Sequence, residues 1–169
     1  MSDWTDTPNA LQRAARRVVS LPPVSAVLSR TLHRLDQPIL RWSDGRYSAA
    51  SLVAGLPMIS LTTTGAKSGQ PRTVPLVAIP DGRRLILVAS NWGRPRHPAW
   101  YHNLKAHPGA QVTVDGRTAA WTARELAGEA REAAWQRATA LYPGYAYYAQ
   151  RNGGLRIPVL VLEPGGDAA

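Results

Sequence analysis

The chain has 169 residues, 44% hydrophobic and 18% charged, with a net charge of +9 and a pI near 10.8. That length and balance suit one globular domain with a buried core, not a disordered chain. The absence of cysteine excludes disulfides, thiolate nucleophiles and cysteine-ligated metals, and no apolar window reaches the ~18 residues of a spanning helix.

The first 55 residues read as a basic, amphipathic helical segment. Leu11, Ala14, Ala15, Val18 and Val19 recur at helical spacing among Arg13, Arg16 and Arg17. Pro22-Pro23 interrupts. Val24, Val27, Leu28, Thr31, Leu32 and Leu35 form a second stripe opposite Arg30 and Arg34. The second helix is expected to dock on the core. The first fits either docking or an anionic membrane surface. Residues 36–56 read as an irregular connection. The polar N-terminus does not resemble a secretory signal, so a cytoplasmic protein is expected, with the inner face of the cell membrane as an alternative place.

From residue 58 the pattern changes to short strands. One is expected over 58–63 and a second over 73–79, where Pro75 points to an edge or a bulge. Asp81-Gly82 makes a hairpin turn into a strand over 84–90. A polar loop over 91–97 leads to a helix opened by Pro98 and stopped at His107-Pro108. A second hairpin follows, 111–114 and 118–124 around Asp115-Gly116. A helix over 129–141 breaks at Pro143, and a short one covers 145–150. A last strand spans 157–162. Six short strands in hairpins with intervening helices predict an α+β domain over 56–164, a small barrel with helices packed against it. Residues 165–169 form a tail.

The richest stretch for chemistry is LTTTGAKSGQPR at 61–72. Threonine hydroxyls, glycine-freed amides, Lys67 and Arg72 converge on one short turn and suit a phosphate-like anion. The Walker order is absent. A second segment sets small residues, Ala89 and Ser90, before a loop with Arg94 and Arg96 and the start of a helix. A flat ring could approach the small residues, and an anionic tail the cations. In a third segment, Tyr142, Tyr145 and Tyr148 recur every three residues. They read as a partly buried aromatic face or as the wall of a pocket for a flat, apolar substrate. The four histidines lie in no metal-binding spacing, so no metal is expected. No serine sits in a nucleophile elbow, and carboxylates are few. Chemistry borrowed from a cofactor is the remaining option. The basic pI allows nucleic acid, but no binding motif supports that partner.

Together these segments resemble the deazaflavin (F420)-dependent nitroreductase and quinone reductase family. The resemblance rests on 61–72, Ala89-Ser90, HPAWYHNLKAHP at 97–108, YPGY at 142–145 and RIPV at 156–159. It implies a split β-barrel of about six mostly antiparallel strands, similar to flavin-binding proteins, with an N-terminal helical extension. It also implies coenzyme F420, with FMN as the alternative. By that likeness Thr62, Thr63, Lys67, Ser68, Gly69, Gln70 and Arg72 belong to the phosphate and tail region. Pro75, Ala89, Ser90 and Asn91 would lie along the deazaflavin, with Trp100 and Asn103 nearby and Arg94 and Arg96 toward the tail. Ser90, Tyr142, Tyr145 and Tyr148 would line the substrate side as catalytic candidates. The implied reaction is hydride transfer to a quinone, nitroaromatic or activated enone; a non-catalytic F420 carrier is the other reading. A monomer and a homodimer are both compatible. Ala66 and Asn91 depart from the resemblance, standing where relatives often carry a basic residue. Trp92 departs by adding bulk beside the presumed ring site.

Overall fold

The computed structural model describes residues 56–165. The expectations for the N-terminal helices and for residues 166–169 lie outside them. Seven strands run β1 (Met58–Thr64), β2 (Pro71–Val77), β3 (Ile79–Asp81), β4 (Arg84–Val88), β5 (Gly109–Val114), β6 (Arg117–Glu125) and β7 (Val159–Pro164). Three α-helices join them: α1 (Ala99–Ala106), α2 (Gly128–Leu141) and α3 (Gly144–Arg151). The sheet order is β2-β1-β5-β6-β7-β4-β3. Every neighbouring pair is antiparallel.

The single strand expected over 73–79 is two strands, which accounts for seven instead of six. Only Ala78 separates β2 from β3, and its N–H donates to the Pro57 carbonyl at 3.0 Å. Because β2 and β3 close opposite ends of the strand order, this one-residue link draws the two edges together and curls the sheet into a split barrel. Pro75 and Pro80 sit on those edge strands, where a missing N–H is tolerated. The last strand starts two residues later than expected, after Ile157-Pro158.

Period-two alternation divides the core. Leu85 and Leu87 of β4 and Leu160 and Leu162 of β7 join Ile59, Leu61, Val112, Trp100 and Leu104 in an interior cluster closed by α1. Ile86, Val88 and Val159 point to the other face, where Ala134, Ala138 and the tyrosines of 142–148 cover them. Burying a large aliphatic side chain of this kind contributes about 1.5–3 kcal/mol. Asp81 anchors the edge by accepting from Arg84 at 2.7 Å and from Arg137 of α2. No helix among the described residues is long and apolar enough to cross a membrane.

Candidate functional site

The β1–β2 hairpin ends with Thr64 opposite Pro71, leaving residues 65–70 as its loop. Gly65 N–H donates to the Gln70 carbonyl and Gly69 N–H to the Gly65 carbonyl, each at 2.8 Å. Gln70 N–H reaches Ser68 Oγ at 3.3 Å. A side chain at Gly65 would collide with that hydroxyl, since a Cβ would stand 2.6 Å from it. Gly69 takes a φ of +65°, a left-handed value that favours glycine.

Asn103, from the middle of α1, fixes this loop from below. Its Oδ1 accepts from Ala66 N–H at 3.0 Å. Its Nδ2 donates to Thr63 Oγ1 at 3.0 Å. Thr63 Oγ1 in turn donates to the Arg72 carbonyl at 3.4 Å. Thr63 and Asn103 are 1% and 8% exposed, so the network is largely sheltered from water. Sequence reasoning set Asn103 beside the ring; in the structure its amide is engaged with the loop. Within the expected cradle, the N–H groups of Gly65, Ala66, Gly69 and Gln70 have partners inside the protein. The loop also presents side chains. Lys67, Ser68, Gln70 and Arg72 are exposed, and Thr62 bonds Thr73 hydroxyl to hydroxyl at 2.8 Å. Among the described residues, Lys67, Arg72, Arg94 and Arg96 have no carboxylate partner, nor do Arg83, Arg117, Arg151 and Arg156, whereas Arg84, Lys105, Arg124, Arg131 and Arg137 do.

The end of β4 delivers Ala89 into the interior cluster that also holds Trp100. Ser90 is half-buried and opens a 3₁₀ turn, Asn91–Gly93. Asn91 Nδ2 donates to the Arg96 carbonyl at 2.9 Å and folds the Arg94–Arg96 loop back on the turn. That loop leads directly into α1, the helix that carries Asn103. Pro75 is half-buried on β2, opposite Ser60 of β1.

The tyrosines lie on the other face. Tyr145 and Tyr148 belong to α3, while Tyr142 precedes it, so the three do not share one helical turn. Their rings nevertheless meet, with centroids 5.3–6.4 Å apart. Gly144 permits this, because a Cβ there would stand 2.4 Å from the Tyr142 ring. All three side chains are buried, and the hydroxyls of Tyr142 and Tyr148 share a hydrogen bond of 3.0 Å. Burial pushes all three phenols above their ordinary value. They are therefore neutral at physiological pH, able to donate a hydrogen bond but reluctant to release a proton.

A further polar cluster escaped sequence reasoning. Glu125 accepts from Tyr101 and from Lys105, both at 3.0 Å. Burial alone would raise the carboxyl, but the bonds from Lys105 and Tyr101 outweigh it and hold it below its ordinary range. A cavity of about 360 Å³ opens beside it, lined among others by His97, Arg131 and Arg156. None of the residue spacings signals this group, since its partners come from separate elements. No group of three or more His, Cys, Asp or Glu among the described residues could hold a metal.

The profile of the F420H(2)-dependent quinone reductase family matches residues 32–164. An F420H(2)-dependent quinone reductase of Mycobacterium tuberculosis is 41% identical over 95 residues, which cover 56% of this chain and 63% of that protein. The match thus spans less than two thirds of that relative's length. A solved F420-H2 dependent reductase (FDR-A) is 44% identical over 63% of this chain and 94% of its own, with a TM-score of 0.58. A second structure, described as a domain-swapped dimer, is 38% identical over 83% of this chain and 99% of its own, with a TM-score of 0.60. The split barrel and the colinear match over its whole length agree, and the chain belongs to the F420H(2)-dependent quinone reductase family.

Proposed function

We propose that this chain is an F420H2-dependent oxidoreductase that reduces a quinone, with nitroaromatics and activated enones as further acceptors. The observation that carries this reading is the β1–β2 loop, where exposed Lys67 and Arg72, unpaired with carboxylates, stand on a buried amide tether. F420 carries a phosphate and a polyglutamate tail. A loop whose cations are not neutralised by the protein suits such a polyanion, as charge-assisted bonds to phosphate and carboxylate are the strong ones.

In this reading Thr62, Thr63, Lys67, Ser68, Gly69, Gln70 and Arg72 form the phosphate region, and Arg94 and Arg96 meet the tail. Pro75, Ala89, Ser90, Asn91, Trp100 and Asn103 shape the ring side, Asn103 through its hold on the loop. When bound, the reduced deazaflavin supplies a hydride. A hydroxyl of Ser90 or of Tyr142, Tyr145 or Tyr148 would orient the acceptor by donating a hydrogen bond to its oxygen, where negative charge develops. The Tyr142–Tyr148 bond is replaceable, because exchanging one neutral hydrogen bond for another changes little free energy. The proton would come from Tyr148, Tyr145 or water.

The test is steady-state oxidation of reduced F420 with a simple quinone, with reduced FMN as a parallel arm. Quinone-dependent oxidation of reduced F420 is expected. Turnover with reduced FMN alone would overturn the cofactor assignment, and no turnover with either would leave a binding or carrier role.

A further inference from the structure

Three consecutive residues after Ser90 take left-handed backbone angles: Asn91 at φ 46°, Trp92 at 60° and Gly93 at 72°. Glycine adopts this conformation freely and asparagine tolerates it, but a bulky aromatic residue rarely does. Such strain persists only where the surroundings over-determine it. Here they do. Gly93 is buried so closely against α3 that a Cβ would stand 3.1 Å from Tyr148 Cα and 3.2 Å from its carbonyl oxygen. Gly93 N–H donates to the Ser90 carbonyl at 2.9 Å and Arg94 N–H to the Asn91 carbonyl at 3.1 Å. The turn is clamped on both sides, and its consequence is the position of one indole.

That indole is the large apolar side chain left exposed among the described residues, at 39%. Its ring meets Tyr148 edge-on, with centroids 6.1 Å apart. Tyr148 is itself bonded to Tyr142 and packed on Tyr145. Trp92 therefore caps the solvent end of the tyrosine cluster, two residues beyond Ser90. A hydrophobic interior does not require an indole held there in a strained backbone, since the cluster beneath it is already buried.

We infer that Trp92 is a specificity-determining residue that limits the size of the acceptor admitted beside Tyr148. The inference rests on the reading that acceptors bind on the tyrosine side. A compact monocyclic quinone passes the indole, whereas a fused-ring quinone with a long alkyl chain collides with it. Aromatic bulk, not hydrogen bonding, performs the selection, so phenylalanine retains much of it and alanine loses it.

The experiment compares full-length wild type, Trp92→Ala and Trp92→Phe, each checked for fold by circular dichroism. The ratio of kcat/KM for an alkylated naphthoquinone to that for a benzoquinone is measured with reduced F420. Trp92→Ala is expected to raise this ratio on the order of tenfold, the scale of a modest change in pocket volume, with F420 affinity unchanged and Trp92→Phe in between. An unchanged ratio in an active Trp92→Ala overturns the inference. Absence of turnover in wild type is instead a failure of the proposed activity. In that event equilibrium binding of the two quinones decides: a preference for the benzoquinone that shrinks in Trp92→Ala supports the size limit, and a preference equal to that of wild type overturns it.

Discussion

The β1–β2 loop and the tyrosine cluster solve opposite problems. The loop sets charge in water and hides its supports: Lys67 and Arg72 are exposed, while Thr63 and Asn103 hold the turn from within. The cluster hides its polar groups, with the buried hydroxyls of Tyr142 and Tyr148 bonded to each other. The first region is open to a polyanion at all times. In the proposed function, the second would yield the Tyr142 or Tyr148 hydroxyl only to a ligand that replaces their shared bond. Tight, salt-sensitive cofactor binding is expected of the first, and selective, weaker acceptor binding of the second.

Substitutions that attack the supports should separate the two regions most strongly. Asn103→Ala leaves Ala66 N–H and the Thr63 hydroxyl without their partner and should cost about 2–4 kcal/mol of stability. It should weaken F420 binding as well, which denaturant melts and titration would show together. Next in size, Lys67→Ala and Arg72→Ala should each cost about 1–3 kcal/mol of cofactor binding through a lost charge-assisted bond. Their effect on stability should stay within about 0.5 kcal/mol, as expected of exposed, unpaired side chains. A large drop in Tm for either would mean that the loop is structural and the contrast false.

On the tyrosine side, Gly144→Ala drives a methyl group into the Tyr142 ring and should cost about 1–3 kcal/mol by overpacking. It should impair acceptor turnover while F420 binding survives. The smallest effect is in alkali. The three phenols titrate above their ordinary value of 10.0 in the fold. A raised folded pKa gives stability that is fully present below the unfolded value and lost as pH rises above it. Thermal melts should be flat to about pH 9 and decline beyond, less steeply in Tyr145→Phe. An equal decline in that variant would deny the burial of its hydroxyl.

Local signals made much of this legible. Asp115-Gly116 turns β5 into β6 with both residues at positive φ, as that dipeptide favours. Gly82 does the same between β3 and β4. The start and stop of α1 followed from Pro98 and His107-Pro108. What stayed hidden depends on distant partners. Val77-Ala78-Ile79 carries no turn residue, so the break that closes the barrel reads as continuous strand. Asn103 could be singled out, but its partners lie 37 and 40 residues away and nothing local points to them. Tyr142 keeps the spacing of a helical stripe yet stands outside α3, and only Gly144 shows how its ring returns to the cluster. Glu125 draws on Tyr101 and Lys105, 24 and 20 residues earlier, a grouping created by the fold alone.

The central claim is that the β1–β2 loop clamps the anionic part of F420. Fluorescence titration of the full chain with F420 at rising salt, repeated for Lys67→Ala and Arg72→Ala, tests it most directly. Micromolar binding is expected, weakening with salt and falling about 5- to 100-fold in each variant. Binding indifferent to both substitutions and to salt, or FMN bound more tightly than F420, would contradict it.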